Sequence, residues 1–178
     1  TRTALDSGVP LLVHANGDAA ADLLIDAVAA ARTATKTPDP PVTMFHAQTV
    51  RDDQLDRMPA LGMNASFFVA HTYYWGDWHR DETLGPERAQ RISPARSAIQ
   101  RGVRFTLHND APIVPPDIIR TLWSATTRLT RSNDVLGTAQ RLSTAEAIAA
   151  VTIDAARQYG EERIKGSVEP GKQADLVV

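Results

Sequence analysis

The chain predicts an α/β fold of parallel strands, and three observations carry that prediction. Four short apolar runs, Pro10-Leu-Leu-Val-His14, Val42-Thr-Met-Phe-His46, Met63-Asn-Ala-Ser-Phe-Phe-Val69 and Val103-Arg-Phe-Thr-Leu107, are separated by stretches with helical patterning. That alternation is the mark of right-handed βαβ units. The first two runs close on histidines 32 positions apart, about one βα unit. A third polar terminus follows the fourth run, where His108-Asn-Asp110 leads into Ala-Pro. In a parallel α/β barrel the C-terminal strand ends face one cavity, so such residues would converge there.

Each element has its own justification. Gly17-Asp18 turns out of the first strand into a helix from Ala19 to about Thr35, with Leu24, Ala27, Val28 and Ala31 forming its buried stripe. Thr37-Pro-Asp-Pro-Pro41 ends it. The second strand, Val42–Phe45, precedes a helix over about Asp52–Ala60 that Gly62 closes. The third strand, Met63–Val69, runs into an aromatic segment, Ala70 to His79, read as a loop. A helix lies within Glu87–Arg101, with Pro94 as an interruption or second start. The fourth strand, Val103–Leu107, is followed by a loop containing Pro112, Pro115 and Pro116 and a helix from Asp117 to about Leu129. Ser143-Thr-Ala-Glu146 is a capping box that opens a helix to about Tyr159, closed by Gly160. The tail, Gly166 to Val178, reads as a turn and a strand over Ala174–Val178.

Bulk properties narrow the function classes. At 178 residues the chain is one domain's worth. A formal charge of −2 offers no basic face for nucleic acid and no polybasic patch for a membrane surface. The absence of cysteine excludes disulfides and thiolate ligands. No apolar run approaches the ~20 residues that span a bilayer, and no signal-peptide pattern is visible, which favours a cytoplasmic location. The chain starts at Thr1 and stops at Val178 inside an apolar run, so it reads as a fragment. Four βα units make half of a TIM-like (β/α)8 barrel, for which ~250 residues are usual; the other half would precede Thr1.

Histidine, histidine and aspartate on successive strand ends suit a divalent metal of the zinc type, as one ion or two. Such ions take imidazole nitrogen and carboxylate oxygen, leaving a position for water. His14, His46 and Asp110 are the candidate ligands, with Asp110 also the candidate acceptor of the attacking water's proton. Taken singly, each histidine is more often a hydrogen-bonded structural residue than a ligand; the pattern lies in their joint placement. His71, just past the third strand, is a candidate to contact a substrate carbonyl, or a packed loop residue among Tyr73, Tyr74, Trp75 and Trp78. That aromatic group, Trp75 included, suits a substrate-pocket wall, and equally a lid or an interface patch. His108 shares Asp110's strand parity and reads as a supporting residue that orients the carboxylate. The run Asp77-x-His79-x-Asp81 has the look of a second metal site but reads first as loop hydrogen-bonding residues. No Gly-rich phosphate loop and no Gly-x-Ser-x-Gly elbow occurs.

Val13-His-Ala-Asn-Gly-Asp18, Phe45-His-Ala-Gln48, Ala65-Ser-Phe-Phe-Val-Ala-His71 and Asn109-Asp-Ala-Pro112 resemble, in order, strand-end motifs of the amidohydrolase superfamily. The closest branch is amidohydrolase family 3, which includes N-substituted formamide deformylases and proteins labelled exoenzyme regulatory protein. The tail from Gly166 resembles the family's return into a small β-sandwich, so residues 161–178 are expected to begin that segment and residues 1–160 to form the metallo-dependent hydrolase half-barrel. The resemblance implies that His14 is the strand-5 ligand, His46 the strand-6 ligand, Asp110 the strand-8 aspartate and His71 a substrate contact. The family's strand-1 His-x-His and its strand-4 bridging ligand have no counterpart in this chain. The position of His108-Asn109 often carries small residues in relatives. The implied activity is hydrolysis of non-peptide C–N bonds in a small amide or cyclic amide by a metal-activated water. The isolated piece is expected to be inactive and to form a homo-oligomer through open sheet edges. The alternatives are a catalytically inactive half-barrel with a binding or regulatory role and a metal-dependent phosphoesterase.

Overall fold

The computed structural model describes residues 1–34 and 40–176. Among them, β1 (Leu11–Ala15), β2 (Val42–His46), β3 (Met63–Phe67) and β4 (Phe105–Leu107) form one sheet in sequence order. Every neighbouring pair is parallel, with Leu11 opposite Val42, Val42 opposite Met63 and Ala65 opposite Phe105. This is the expected half of a (β/α)8 barrel, with β1 and β4 each presenting one edge that no described strand pairs.

Strand parity sorts the side chains. Leu11, Val13, Ala15, Val42, Met44, Met63, Ala65, Phe67, Phe105 and Leu107 lie in one apolar cluster with Leu24, Ile25, Val28, Leu55, Ala147 and Ala150 of the helices. These apolar strand residues are alternate positions, so they share one sheet face. The opposite face carries Leu12, His14, Thr43, Phe45, Asn64, Ser66 and Thr106. Leu12 is 44% exposed on that face, whereas Thr43, Ser66 and Thr106 are buried.

The helices follow the sequence signals with instructive differences. α1 (Arg2–Asp6) precedes the sheet, and α2 (Asp18–Ala34) buries Ala21, Leu24, Ile25, Val28 and Ala31. The Pro-rich stop after α2 lies largely outside the described residues. α3 (Asp52–Arg57) starts on the backbone N–H of Arg51, which donates to Gln54 Oε1 at 2.9 Å, and the chain then passes through Pro59–Leu61 to left-handed Gly62. A lattice of ion pairs, Arg51 to Asp22, Arg57 to Asp26 and Arg101 to Asp52 and Asp56, laces α2, α3 and the segment after residue 95 across the surface.

The aromatic segment expected to be a loop is helical. α4 (His71–Trp78) continues into a π-helical turn, His79–Thr83. The β propensity of Thr72, Tyr73, Tyr74 and Trp75 and the presence of Gly76 argue against a helix locally. Packing overrides them: a Cβ on Gly76 would stand 2.9 Å from Thr130 Cγ2 and 3.2 Å from Leu136 Cδ2. A side chain at this position would have to push Thr130 or Leu136 aside, so glycine allows the close approach to the 130–136 segment. Pro94 does mark a second start, separating α5 (Gly85–Ala89) from α6 (Ala95–Gln100).

Asp117 caps α7 (Ile118–Thr127) by accepting the Arg120 N–H at 2.9 Å. Asn109 Nδ2 donates to Asp117 O at 3.0 Å and Thr121 Oγ1 at 2.7 Å, which pins the Pro-rich loop after β4 to α7. The Ser143 capping box forms as expected. Its helix, however, is two: α8 (Thr144–Val151) and α9 (Ile153–Gln158). The break falls at Thr152 within the β-branched run Val151-Thr152-Ile153, whose side chains are crowded in a helix. Gly166 packs into the break, 2.8 Å from Ala156 Cβ by the position its Cβ would take. Ala174 to Leu176 take no strand conformation, and the rest of the expected terminal strand lies outside the described residues.

The largest fully buried side chain is a cation. Arg128, at left-handed φ 59, donates to the carbonyls of Leu136 (2.9 Å), Ile92 (2.6 Å) and Ser93 (3.3 Å). Burial, with Arg141 nearby, pulls its pKa down to about 10, so it stays charged at neutral pH. Arg128→Met should destabilise the chain by about 2–4 kcal/mol, because it leaves buried carbonyls without donors, with Arg128→Lys intermediate. Urea unfolding followed by circular dichroism measures this; a change under ~0.5 kcal/mol, the range of ordinary surface substitutions, would refute the role.

Candidate metal centre and adjoining pocket

β2 ends where its backbone leaves the ordinary strand region. His46 has φ 72 and Ala47 φ 47, two successive non-glycine residues with positive φ. Such conformations cost about 1–3 kcal/mol each and persist only where the surroundings hold them. Here the turn is held from both sides: Ala47 N–H donates to Ala15 O, Thr49 N–H to Asn16 O, and Ser93 N–H to Gln48 O at 2.7 Å. Ser93 is itself fixed by Arg128. Asp110, three residues past β4, also has positive φ, at 60°.

These turns bring His46, His108 and Asp110 together, each offering one ligand atom, all within 4.8 Å of one another. His46 Nδ1 lies 3.3 Å from His108 Nε2. That separation matches the edge of a tetrahedron with metal–nitrogen bonds of about 2.0–2.1 Å. His108 Nδ1 meets Ser66 Oγ at 2.9 Å, and Phe45 stacks on the His108 ring at 3.9 Å between centroids. His14 stands edge-on to His46, 4.6 Å between ring centroids, on the exposed side and outside the three-donor group. Of the ligands the sequence nominated, then, His46 and Asp110 come together, His14 flanks them, and His108 joins them. His108's ring nitrogens face Ser66 and His46.

The wall of the site belongs to α4. His71 opens the helix with its ring 6.2 Å from that of His46 and 4.5 Å from Phe68, and Trp75 lies one turn on, 5.2 Å from His71. Behind His71, His79 stacks nearly parallel at 5.6 Å, with its Nε2 3.4 Å from His71 Nδ1 and 2.9 Å from Gln48 Nε2. Eight positions separate His71 from His79, so on a helix they share a face; reading the segment as a loop hid that relation. Tyr73 faces away, edge-on to Trp123 and covered by the Arg120 guanidinium. Asp77 accepts from the backbone and hydroxyl of Ser132, and Asp81 pairs with Arg80, in keeping with their reading as hydrogen bonders.

Burial keeps the imidazoles of this cluster neutral. It lowers the pKa of His46, with Asp110 pulling the other way. It brings His71 and His108 down to about 3, helped by the other histidines, and lowers His79. Neutral imidazole is the form that binds a metal, so the donor set fits a divalent ion.

The Amidohydrolase family model matches residues 2–178. The N-substituted formamide deformylase of Arthrobacter pascens is 28% identical over 171 residues, covering 96% of this chain and 31% of that protein. An uncharacterised metal-dependent hydrolase from Pyrococcus horikoshii superposes with a TM-score of 0.77 at 27% identity, covering 94% of this chain and 33% of that one. A zinc-bound adenosine deaminase from Xanthomonas campestris superposes at 0.66 with 18% identity, over 97% of this chain and 37% of that one, which speaks to the fold. The chain thus spans about a third of the length of these relatives. With half a parallel barrel, polar donors gathered at its strand ends and a family model matched almost from end to end, this chain belongs to the amidohydrolase family.

Proposed function

We propose that this chain is a half-barrel piece, carrying part of the metal site, of a metal-dependent amidohydrolase that cleaves non-peptide C–N bonds in a small amide or cyclic amide. The observation that carries the reading is the convergence of His46, His108 and Asp110 within 4.8 Å at the strand ends. These three residues would hold a divalent ion, zinc being the type their nitrogens and oxygen suit, with His14 as a further nitrogen beside His46. A bound ion would lower the pKa of a water and polarise a carbonyl. Asp110 would take the water's proton and pass it to the leaving nitrogen. His71 would bond the substrate and Trp75 would form the apolar wall. The similarity to the formamide deformylase supports an amide substrate.

The exposed Leu12 and the open edges of β1 and β4 support a barrel completed by further strands, in the full protein by its other half. Residues 161–178 would lead into a following β segment. By itself the chain would turn over an N-substituted formamide weakly or not at all and would self-associate through those edges. An inactive half-barrel with a binding role is the competing reading, and metal binding separates the two.

Zinc titration by calorimetry should show a single event, weak because part of the ligand shell is missing, and lost in His46→Ala and in Asp110→Asn. Failure to bind zinc would sink the ligand assignment and favour the binding-module reading.

Stability should also depend on pH in a set direction. His46, His71, His79 and His108 have lowered pKa values in the folded chain, so the unfolded chain, near 6.5 for each histidine, binds more protons. Their contribution is complete above pH ~6.5 and is lost as pH falls toward about 3. Urea midpoints of the metal-free protein should be flat from pH 7 to 8 and drop from ~6.5 to ~4.5, less steeply in His71→Phe. A midpoint that rises as pH falls from 6.5 would contradict the burial.

A further inference from the structure

Both imidazoles of the donor group meet one phenyl ring. Phe45, the residue before His46, lies on the inner sheet face with Ser66 of β3 as its register partner. Its ring stacks on His108 with centroids 3.9 Å apart and planes 20° from parallel. The same ring stands steeply to His46, at 4.7 Å and 62°. Phe68 lies more loosely along His108, at 5.7 Å and 30°. Ser66 Oγ meets the edge of the His108 ring at Nδ1, 2.9 Å away. Neighbouring strands therefore take His108 from two directions, β2 by the ring face and β3 by the ring edge.

A histidine donor needs such holding. The torsion that turns an imidazole about its bond to Cβ has broad wells, so the backbone alone does not set where the ring nitrogens point. One hydrogen bond at Nδ1 pins an edge of His108 and leaves the plane free to tilt about it. Tilting toward Phe45 meets the phenyl face, and tilting away gives up the contact. His46 is held by the same phenyl and by His14, whose ring lies 4.6 Å away at 75°. With both planes held, His46 Nδ1 and His108 Nε2 stand 3.3 Å apart, a separation that one ion with bonds of about 2.0–2.1 Å can bridge.

The contact also differs between an empty and a loaded site. The face of a phenyl ring is negative. A neutral imidazole stacked on it gains mainly dispersion. An imidazole that has given its lone pair to a divalent ion is electron-poor, and the phenyl face attracts it as it attracts a cation. The Phe45 stack is therefore stronger with an ion in place.

We propose that Phe45 is a positioning residue of the metal centre: its ring holds the imidazole planes of His46 and His108 so that their nitrogens converge, and its face stabilises the His108 imidazole once that imidazole bears an ion. The holding of the rings stands on geometry alone; the stabilised ion rests on the function proposed above.

Two measurements test the two roles separately. In metal-free protein labelled with 13C at histidine, relaxation of the ring C–H groups reports ring motion, and His108→Gln assigns the signals. The His108 ring should be as rigid as the backbone in the wild type and mobile in Phe45→Leu. Zinc titration on the same spectra should show affinity lowered at least about tenfold in the leucine protein, the usual cost of losing a group that orients a ligand. Mono-, di- and trifluorophenylalanine placed at position 45 drain charge from the ring face at nearly constant shape. Across that series the His108 ring should stay rigid while zinc affinity falls stepwise, by about 2–30-fold in all. Should the leucine protein not fold, the fluorinated proteins carry the test, because they keep the side chain's shape. A His108 ring equally rigid in a folded Phe45→Leu protein overturns the holding role, and zinc affinity indifferent to fluorination overturns the stabilisation of the bound ion. A wild type that binds no zinc, with a ring that loosens in Phe45→Leu, upholds the holding role and defeats the proposed function instead.

Discussion

Leu11, Val13, Val42, Met44, Met63, Ala65, Phe105 and Leu107 point one way from the sheet, into the helices. Because side chains alternate along a strand, that single burial constraint also decides the other face. Thr43, Asn64, Ser66 and Thr106 are turned inward together, and the register that sets Ser66 opposite Thr106 follows from it. A slip of one residue would bury these polar groups against the helices and expose the apolar set. The chemistry of the inner face is therefore protected by the hydrophobic effect acting on the outer one.

Polar groups turned into a barrel interior must find partners, since each left unpaired costs about 1–3 kcal/mol. The molecule meets that demand with short hydrogen-bonded rows. One runs from His108 through Ser66 and Thr106 to Gln158. Another joins His71, His79 and Gln48. Arg128 serves the backbone in the same way, satisfying carbonyls of the 92–93 turn that in turn braces Gln48. The left-handed turn at His46 and Ala47 is tolerable because these groups surround it. Strain at the site and satisfaction around it are two sides of one arrangement.

Much of the fold was legible because its signals are local. Apolar runs of strand length, Pro and Gly punctuation, and the Ser143-to-Glu146 capping box each require only a few neighbouring residues. The parallel order followed from the alternation of strands with helices, and His46 and Asp110 were nominated by lying at strand ends. The aromatic helix α4 is not legible locally, because its residues prefer strands or loops and the contacts that hold it, among them Gly76 against Thr130 and Leu136, are with distant segments. The split between α8 and α9 has a local signal in the β-branched run Val151-Thr152-Ile153.

The sequence by itself determined the parity of the strands, the spacing of the βα units and the residue types available at their ends, because each depends on neighbours along the chain. Tertiary structure alone decided which of those residues meet. It set His14 beside the donor group, drew His108 into it, brought His79 behind His71 once residues 71–83 became helical, and reached back from Gln158 to Thr106. Such meetings depend on two successive left-handed residues at the end of β2 and on helices packed at the sheet's edge. The forces that hold them there come from distant segments such as Arg128 and the 92–93 turn, which no local pattern contains.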